Sequence, residues 1–268
     1  EGAEVLYHLA GVISIDGERR GLVPAVNVEG AAHAAQAALE QGVRRMIHFC
    51  SIHAFCQEPL DEPLDETRAR VVRDAAAYDR SKAAGEARVR EAIGRGLDAV
   101  ILHPTGVIGP NDPEPSRMGR TFLDFCQRRM PVSVPGGFDF VDVRDVVASA
   151  LAAEERGRTG ESYLLSGHWQ RVSDLFALFE QVSGVPPPRL TVPMWAARLG
   201  VPFAMLWGRL VGQEPLYTSE SLAALRANRD VRPDKAAREL GHDPRPTLES
   251  VEAVHKSFLE RGMLRSPA

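Results

Sequence analysis

The chain has 268 residues, 44% of them hydrophobic and 25% charged, ordinary proportions for a globular protein with one large domain or a domain and a lobe. Thirty-two basic residues against 36 acidic ones leave a formal charge of −4, a bulk balance that points to neither a nucleic-acid nor an anionic-membrane partner. No apolar run is long enough to span a bilayer, and three unpatterned cysteines (Cys50, Cys56, Cys126) speak against a disulfide framework and fit a reducing cytoplasm.

In chain order, "AEVLYHLAG" (3–11) is a short apolar run that reads as a strand ending at Gly11. "VNVEGAAHAAQAALEQGV" (26–43) is Ala-rich with apolar positions at helical spacing, and Gly42 stands where a C-terminal cap belongs. "RRMIHFCS" (44–51) is a second buried strand. A helix carrying Tyr78 and Lys82 follows, with Asp74 as its expected cap and Gly94 or Gly96 as its expected end. "LDAVILHPTGVIGP" (97–110) is a third strand running into a loop. Continuous apolar strands alternating with helices predict an α/β fold with a parallel sheet covered on both faces. The second half is more mixed. Residues 120–157 hold a helix, a Pro/Gly-rich turn, a short strand and another helix, and "GESYLLSG" (160–167) is a strand. "RVSDLFALFEQVSG" (171–184) is an amphipathic helix broken by "VPPP", and the apolar "WAARLGVPFAMLWGRLVG" (195–212) lies beyond it.

Open α/β sheets bind ligands beyond the carboxyl ends of their strands, and the residues there are informative. Ser51 leaves the second strand, and Tyr78 and Lys82 sit a turn apart on one helix face. Together they make an acid–base set for a carbonyl or an alcohol. Serine would hold the substrate oxygen, and a lysine cation would lower a phenol pKa that is ordinarily about 10. His48 and His53 flank the same strand end. Two histidines without a third ligand make no metal site, and both read as core or pocket residues. His53, two positions after Ser51, faces the pocket if the strand continues that far.

"VLYHLAG", "NVEGAAHAAQAALEQGVRRMIHFCS", "YDRSKAAGE", "LHPTGVIGPND", "FVDVRDVVASA", "GESYLLSG" and "KAARELGHDPRPTLESVE" together resemble the extended short-chain dehydrogenase/reductases, the NAD(P)-dependent epimerase/dehydratase group, over nearly the whole chain. The resemblance implies a Rossmann-type core over 1–110 and a smaller mixed α/β substrate lobe over 111–268, with segments 138–166 returning to the core. It implies that Ser51, Tyr78 and Lys82 are catalytic and that NAD or NADP is the cofactor. By the same carry-over His8, Leu9, Ala10, Asn27, Phe49, Tyr78, Lys82, Pro104 and Thr105 line the cofactor cleft. Asn27 can equally serve to tie backbone between strand and helix. Cys50, where the family often has a second serine, reads as a buried thiol rather than a nucleophile, and Asp142 and Arg144 as a structural pair rather than pocket residues. The family's glycine-rich phosphate turn is not found, because the match starts at what would be the fourth strand; the expectation is a sequence truncated at its front.

Two departures bear on substrate. Nucleotide-sugar epimerases carry an Asn where this chain has Gly106, and an Arg where it has Phe138. Ser51, His53, Gly106 and Phe138 are the expected substrate contacts. Trp195, Phe203, Met205 and Trp207 add apolar side chains downstream, for a pocket, a core or an interface. The pattern is similar to the dihydroflavonol-reductase and hydroxysteroid-dehydrogenase side of the family, which implies hydride transfer to a neutral, apolar ketone. A nucleotide-sugar epimerase or dehydratase and a catalytically idle dinucleotide-binding protein remain as rival readings. A homodimer is expected through the Ala-rich helices near 27–41 and 75–94.

Overall fold

The computed structural model describes residues 2–14, 17–211 and 218–264, without the side chains of 204–211, so those of Met205 and Trp207 lie outside the described residues. In chain order the main elements are β1 (Val5–His8), α1 (Leu22–Pro24), α2 (Gly30–Glu40), β2 (Arg45–Phe49), α3 (Ala77–Ile93), β3 (Ala99–Pro104), β4 (Gly106–Ile108), α4 (Arg117–Cys126), β5 (Gly137–Asp142) and α5 (Val143–Arg156). Then come β6 (Ser162–Leu165), β7 (His168–Arg171), α6 (Val172–Ser183), α7 (Met194–Val211), α8 (Ser219–Ala224), α9 (Asp234–Leu240) and α10 (Thr247–Glu260).

The chain divides into two compact units. The first comprises Glu1–Thr105, Asp145–Ser166 and Asp230–Asp243, and its sheet runs β1-β2-β3-β6 with every pair parallel. The continuous apolar character of "AVIL" and "YLL" has its reason here: β3 and β6 are buried almost throughout. Ala31, Ala35 and Ala38 of α2 pack with Val89 and Ala92 of α3 against Met46 and Ala99. These alanines let the two helices approach closely inside the unit, while Ala84 and Ala87 of α3 are exposed.

The tightest approach is at Gly85 of α3, where a Cβ would overlap the backbone carbonyl oxygen of Asn27 in the π-helical turn Ala25–Glu29. Gly85→Ala would normally stabilise a helix by about 1 kcal/mol. Here it should instead lower stability by about 1–3 kcal/mol through overpacking, measured as a lower thermal midpoint. An unchanged or raised midpoint would show that the two segments yield.

The second unit comprises Gly106–Arg144, Gly167–Arg229 and Pro244–Ala268. Its sheet is β4-β5-β7, with β4 parallel and β7 antiparallel to β5. Phe122, Phe125, Phe140, Phe176, Phe179 and Phe258 form its core. Two expectations need correction. The run 97–110 is not one strand and a loop but two strands in different sheets, divided after Thr105. Asp74 does not cap the helix of Tyr78 and Lys82, because α3 begins three residues later with Ala76 at the N-cap position and no side-chain cap.

Candidate active site

The first unit brings Ser51, Tyr78 and Lys82 together beyond the ends of its parallel strands. Ser51 follows β2, and its Oγ accepts a hydrogen bond from the His53 amide (3.2 Å), capping the 3-10 turn Ile52–Ala54. That cap turns the chain sharply and holds the serine side chain at the strand end. Tyr78 and Lys82 lie one turn apart on α3, and the Ser51 hydroxyl is near enough to the Tyr78 phenol to act on its pKa. Lys82 is buried, and its Nζ donates to the Phe49 carbonyl at 2.9 Å. An ammonium has three donors, and this bond uses one of them.

The electrostatics differ from the sequence expectation that Lys82 would lower the phenol pKa. Burial is the largest influence on Tyr78 and pushes it up to about 12, with the nearby Ser51 hydroxyl pulling the other way. Burial also lowers the Lys82 pKa, and the nearby Cys50 and Glu86 act in the opposite sense. Desolvation penalises phenolate and ammonium alike, and neither group is among the causes of the other's shift. The resting site is therefore poised as a proton donor.

The other residues expected at the site are spread over both units. Leu9 and Ala10 are exposed just past β1. Pro104 ends β3, and Thr105 is fixed by its amide to the Leu165 carbonyl at 3.2 Å. Asn27 ties backbone to helix: its Oδ1 accepts from the Val12 amide at 2.7 Å, and its Nδ2 donates to the Val12 carbonyl at 3.0 Å and the Ser81 Oγ at 2.8 Å. Those bonds hold the loop after β1 against α3 beside Lys82. Gly106 and Phe138 belong to the second unit. There a Cβ on Gly106 would stand 2.9 Å from the Phe138 and Phe140 rings and 3.0 Å from the Asp139 carbonyl, so an Asn does not fit without rearrangement. Asp142 and Arg144 form a salt bridge of 2.7 Å.

Around the site the histidines expected there, His53, His8 and His48, take partners that spacing alone does not indicate. His53 pairs through Nδ1 with Asp79 at 3.1 Å and sets its ring edge against Tyr78 at 5.6 Å. His8 and His48 are stacked, their Nδ1 atoms 2.9 Å apart, so one must donate and the other accept. Burial lowers both pKa values, and the Lys82 charge lowers them further. Their pairing was legible only as two histidines on neighbouring strands. Beneath Ser51, His103 reaches the Ser51 carbonyl through Nδ1 (3.1 Å) and Ser162 Oγ through Nε2 (3.1 Å). A carbonyl only accepts, so Nδ1 carries the proton and Nε2 accepts from the serine hydroxyl. Glu86 takes a bidentate bond from Arg70 at 2.8 Å, another from Arg90 Nε at 2.8 Å, and lies beside the Cys50 thiol. Cys50, Glu86 and His103 hold ligand-type atoms within 4.8 Å of one another, but two guanidinium groups already neutralise the carboxylate, and the cluster is a polar platform rather than a cation site.

Residues 1–166, which contain this constellation, match a family profile. The chain belongs to the NAD dependent epimerase/dehydratase family. Within reach of this epimerase/dehydratase chain is the sterol demethylase protein B of Methylococcus capsulatus, 36% identical over 270 residues that cover 98% of this chain and 81% of the relative. A second relative, the 4-hydroxy-2-methyl-3-oxo-4-farnesyl-3,4-dihydroquinoline-1-oxide ketoreductase of Stigmatella aurantiaca, is 29% identical over 92% of this chain and 74% of its own length. The crystal structure of gox2253 superposes with a TM-score of 0.81 at 31% identity, covering 99% of this chain and 81% of that one. Family and fold account for the parallel sheet and for an NAD-dependent enzyme.

Proposed function

We propose that the protein is a ketoreductase or alcohol dehydrogenase that passes a hydride between NAD(H) or NADP(H) and an apolar ketone or secondary alcohol. The observation that carries this reading is the convergence of Ser51 at the end of β2 with Tyr78 and the buried Lys82, which sit a turn apart on α3, the Lys82 ammonium reaching back to the Phe49 carbonyl. Ser51 holds the substrate oxygen, Tyr78 gives or takes its proton, and Lys82 supplies positive charge beside them. The donor set fits the ribose end of a nicotinamide dinucleotide. A buried ammonium with two N–H groups beyond its bond to Phe49 calls for hydroxyl acceptors, and Gly11 spares it the side chain whose Cβ would stand 3.8 Å away. The bound cofactor supplies or accepts the hydride. His8 and Asn27 would support this end of the cleft, Leu9 and Ala10 would border it, and Pro104 and Thr105 would flank the ring.

Substrate character follows from what is absent in the second unit. Gly106 and Phe138 stand where sugar-nucleotide enzymes have an amide and a guanidinium, and two phenylalanine rings fill the space over Gly106. A dianionic diphosphate loses a bidentate partner there, and an apolar body gains an aromatic ring. The relatives named for a sterol and for a farnesyl ketone are in keeping with that chemistry. A screen with alicyclic and aryl ketones and alcohols followed by cofactor fluorescence in one arm, and UDP- and dTDP-sugars followed by chromatography of the sugar products in the other, tests it, since an epimerase or dehydratase returns its cofactor unchanged. Turnover confined to ketones and alcohols is the expected result, and turnover confined to nucleotide sugars would replace this reading with an epimerase or dehydratase.

A further inference from the structure

Helix α7 is apolar on two opposite faces. One face packs into the second unit, with Met194, Ala197 and Val201 against Val134, Leu222 and Leu225. On the other, Trp195, Leu199 and Phe203 recur every four residues and are 67%, 66% and 77% exposed. Leu190, just before the helix, is 58% exposed. A helix apolar all round belongs in a protein core or in contact with lipid, and a stripe of Trp, Leu and Phe at this spacing marks an apolar face awaiting cover.

Charge indicates the cover. From residue 185 to 211 the sequence has three arginines (Arg189, Arg198, Arg209) and neither Asp nor Glu, in a chain whose overall charge is −4. Arg189 and Arg198 are exposed beside the stripe. The overall balance hides this local excess, and the local value governs, because attraction to a charged surface decays within a Debye length of about 8–10 Å. A second copy of this chain meeting the stripe about a two-fold axis would bring the same arginines together in a drying interface. Lipid phosphates would instead pair with them.

We propose that α7 and the preceding 185–193 segment lie flat on an anionic bilayer surface, with Trp195, Leu199 and Phe203 in the headgroup–acyl boundary and Arg189 and Arg198 among the phosphates. Among the described residues no helix is long and apolar enough to cross a membrane, so the contact is peripheral. This inference rests on α7 alone and not on the proposed reaction.

The test uses the full chain and sedimentation with vesicles of phosphatidylcholine, either pure or containing about one-third phosphatidylglycerol. The protein should partition onto the anionic vesicles with a blue-shifted tryptophan emission, and added salt should weaken the binding. The double substitution Trp195→Gln/Phe203→Gln should weaken partitioning at least about tenfold, since each ring contributes buried apolar area at the interface. Arg198→Gln should weaken binding to the anionic vesicles and leave the feeble binding to neutral ones unchanged. All three side chains are exposed, and unchanged circular dichroism would confirm the fold. Two results would overturn the proposal: anionic vesicles that fail to take up the wild-type protein, or a double variant that binds them as well as wild type. A dimer that the double variant converts to monomer, without vesicle binding by either form, would assign the stripe to a second copy instead.

Discussion

Replacing Tyr78 with Phe should lower turnover by roughly 10²–10⁴-fold on whichever substrate the screen selects, the range that a positioned proton donor contributes. The ring stays, and with it the edge contact to His53, so the thermal midpoint should hardly move. The pH dependence has a definite sign. A phenol pushed up to about 12 is protonated across the neutral range, so ketone reduction, which consumes the phenol proton, should be flat with respect to this group from neutral to mildly alkaline pH. Alcohol oxidation needs the phenolate and should rise with pH over the same interval. The positive charge of an oxidised nicotinamide would bring the rise to lower pH without reversing it. Lys82→Met should depress kcat and raise the KM for cofactor together, because one ammonium serves both. A Tyr78→Phe enzyme that retains wild-type turnover would remove the acid–base assignment, whatever the substrate.

Much of this was legible in the sequence, for physical reasons that differ from element to element. The parallel strands showed because burial on both faces demands uninterrupted apolar runs such as "AVIL" and "RMIHF". Tyr78 and Lys82 showed because helical spacing alone sets two side chains a turn apart. Strand β7, "HWQR", did not show: it sits at the edge of a small sheet, is half-buried or exposed along its length, and carries no apolar alternation. The raised phenol pKa was equally hidden. Proximity of a lysine can be read from spacing, whereas desolvation depends on what the rest of the chain packs around the ring. Asn27 shows how sequence can offer two roles and structure give one of them a geometry, since its amide spans Val12 and Ser81 and thereby joins the loop after β1 to α3.

The platform beneath the site was the least legible feature, because its members come from five segments: Cys50, Arg70, Glu86, His103 and Ser162. Only the position of Glu86, one turn after Lys82 on α3, hinted at it. Its expected signature is the second of the two large effects. Burial would raise the Glu86 carboxyl, but hydrogen bonds from Arg70 and the charges of Arg70, Arg90 and, in acid where its ring protonates, His103 overcome that and hold it at about 2. A carboxyl depressed from 4.5 contributes stability that is complete above about pH 4.5 and is lost as pH falls toward 2. The interval corresponds to roughly 3 kcal/mol at about 1.4 kcal/mol per pH unit. Glu86→Gln, which keeps the shape and removes the charge, should therefore cost about 3 kcal/mol in denaturant unfolding at pH 7 and flatten the loss of stability between pH 4.5 and 2. Arg70 and Arg90 are 26% and 41% exposed and can turn toward water, which keeps the penalty at the low end of the range for a broken buried pair. Because His103 holds the Ser51 carbonyl and the Cys50 thiol meets the Lys82 carbonyl, the same substitution should also lower kcat without raising the cofactor KM in proportion. A variant as stable as wild type at pH 7, with the same acid profile, would show that the two arginines and His103 keep their places without the carboxylate between them.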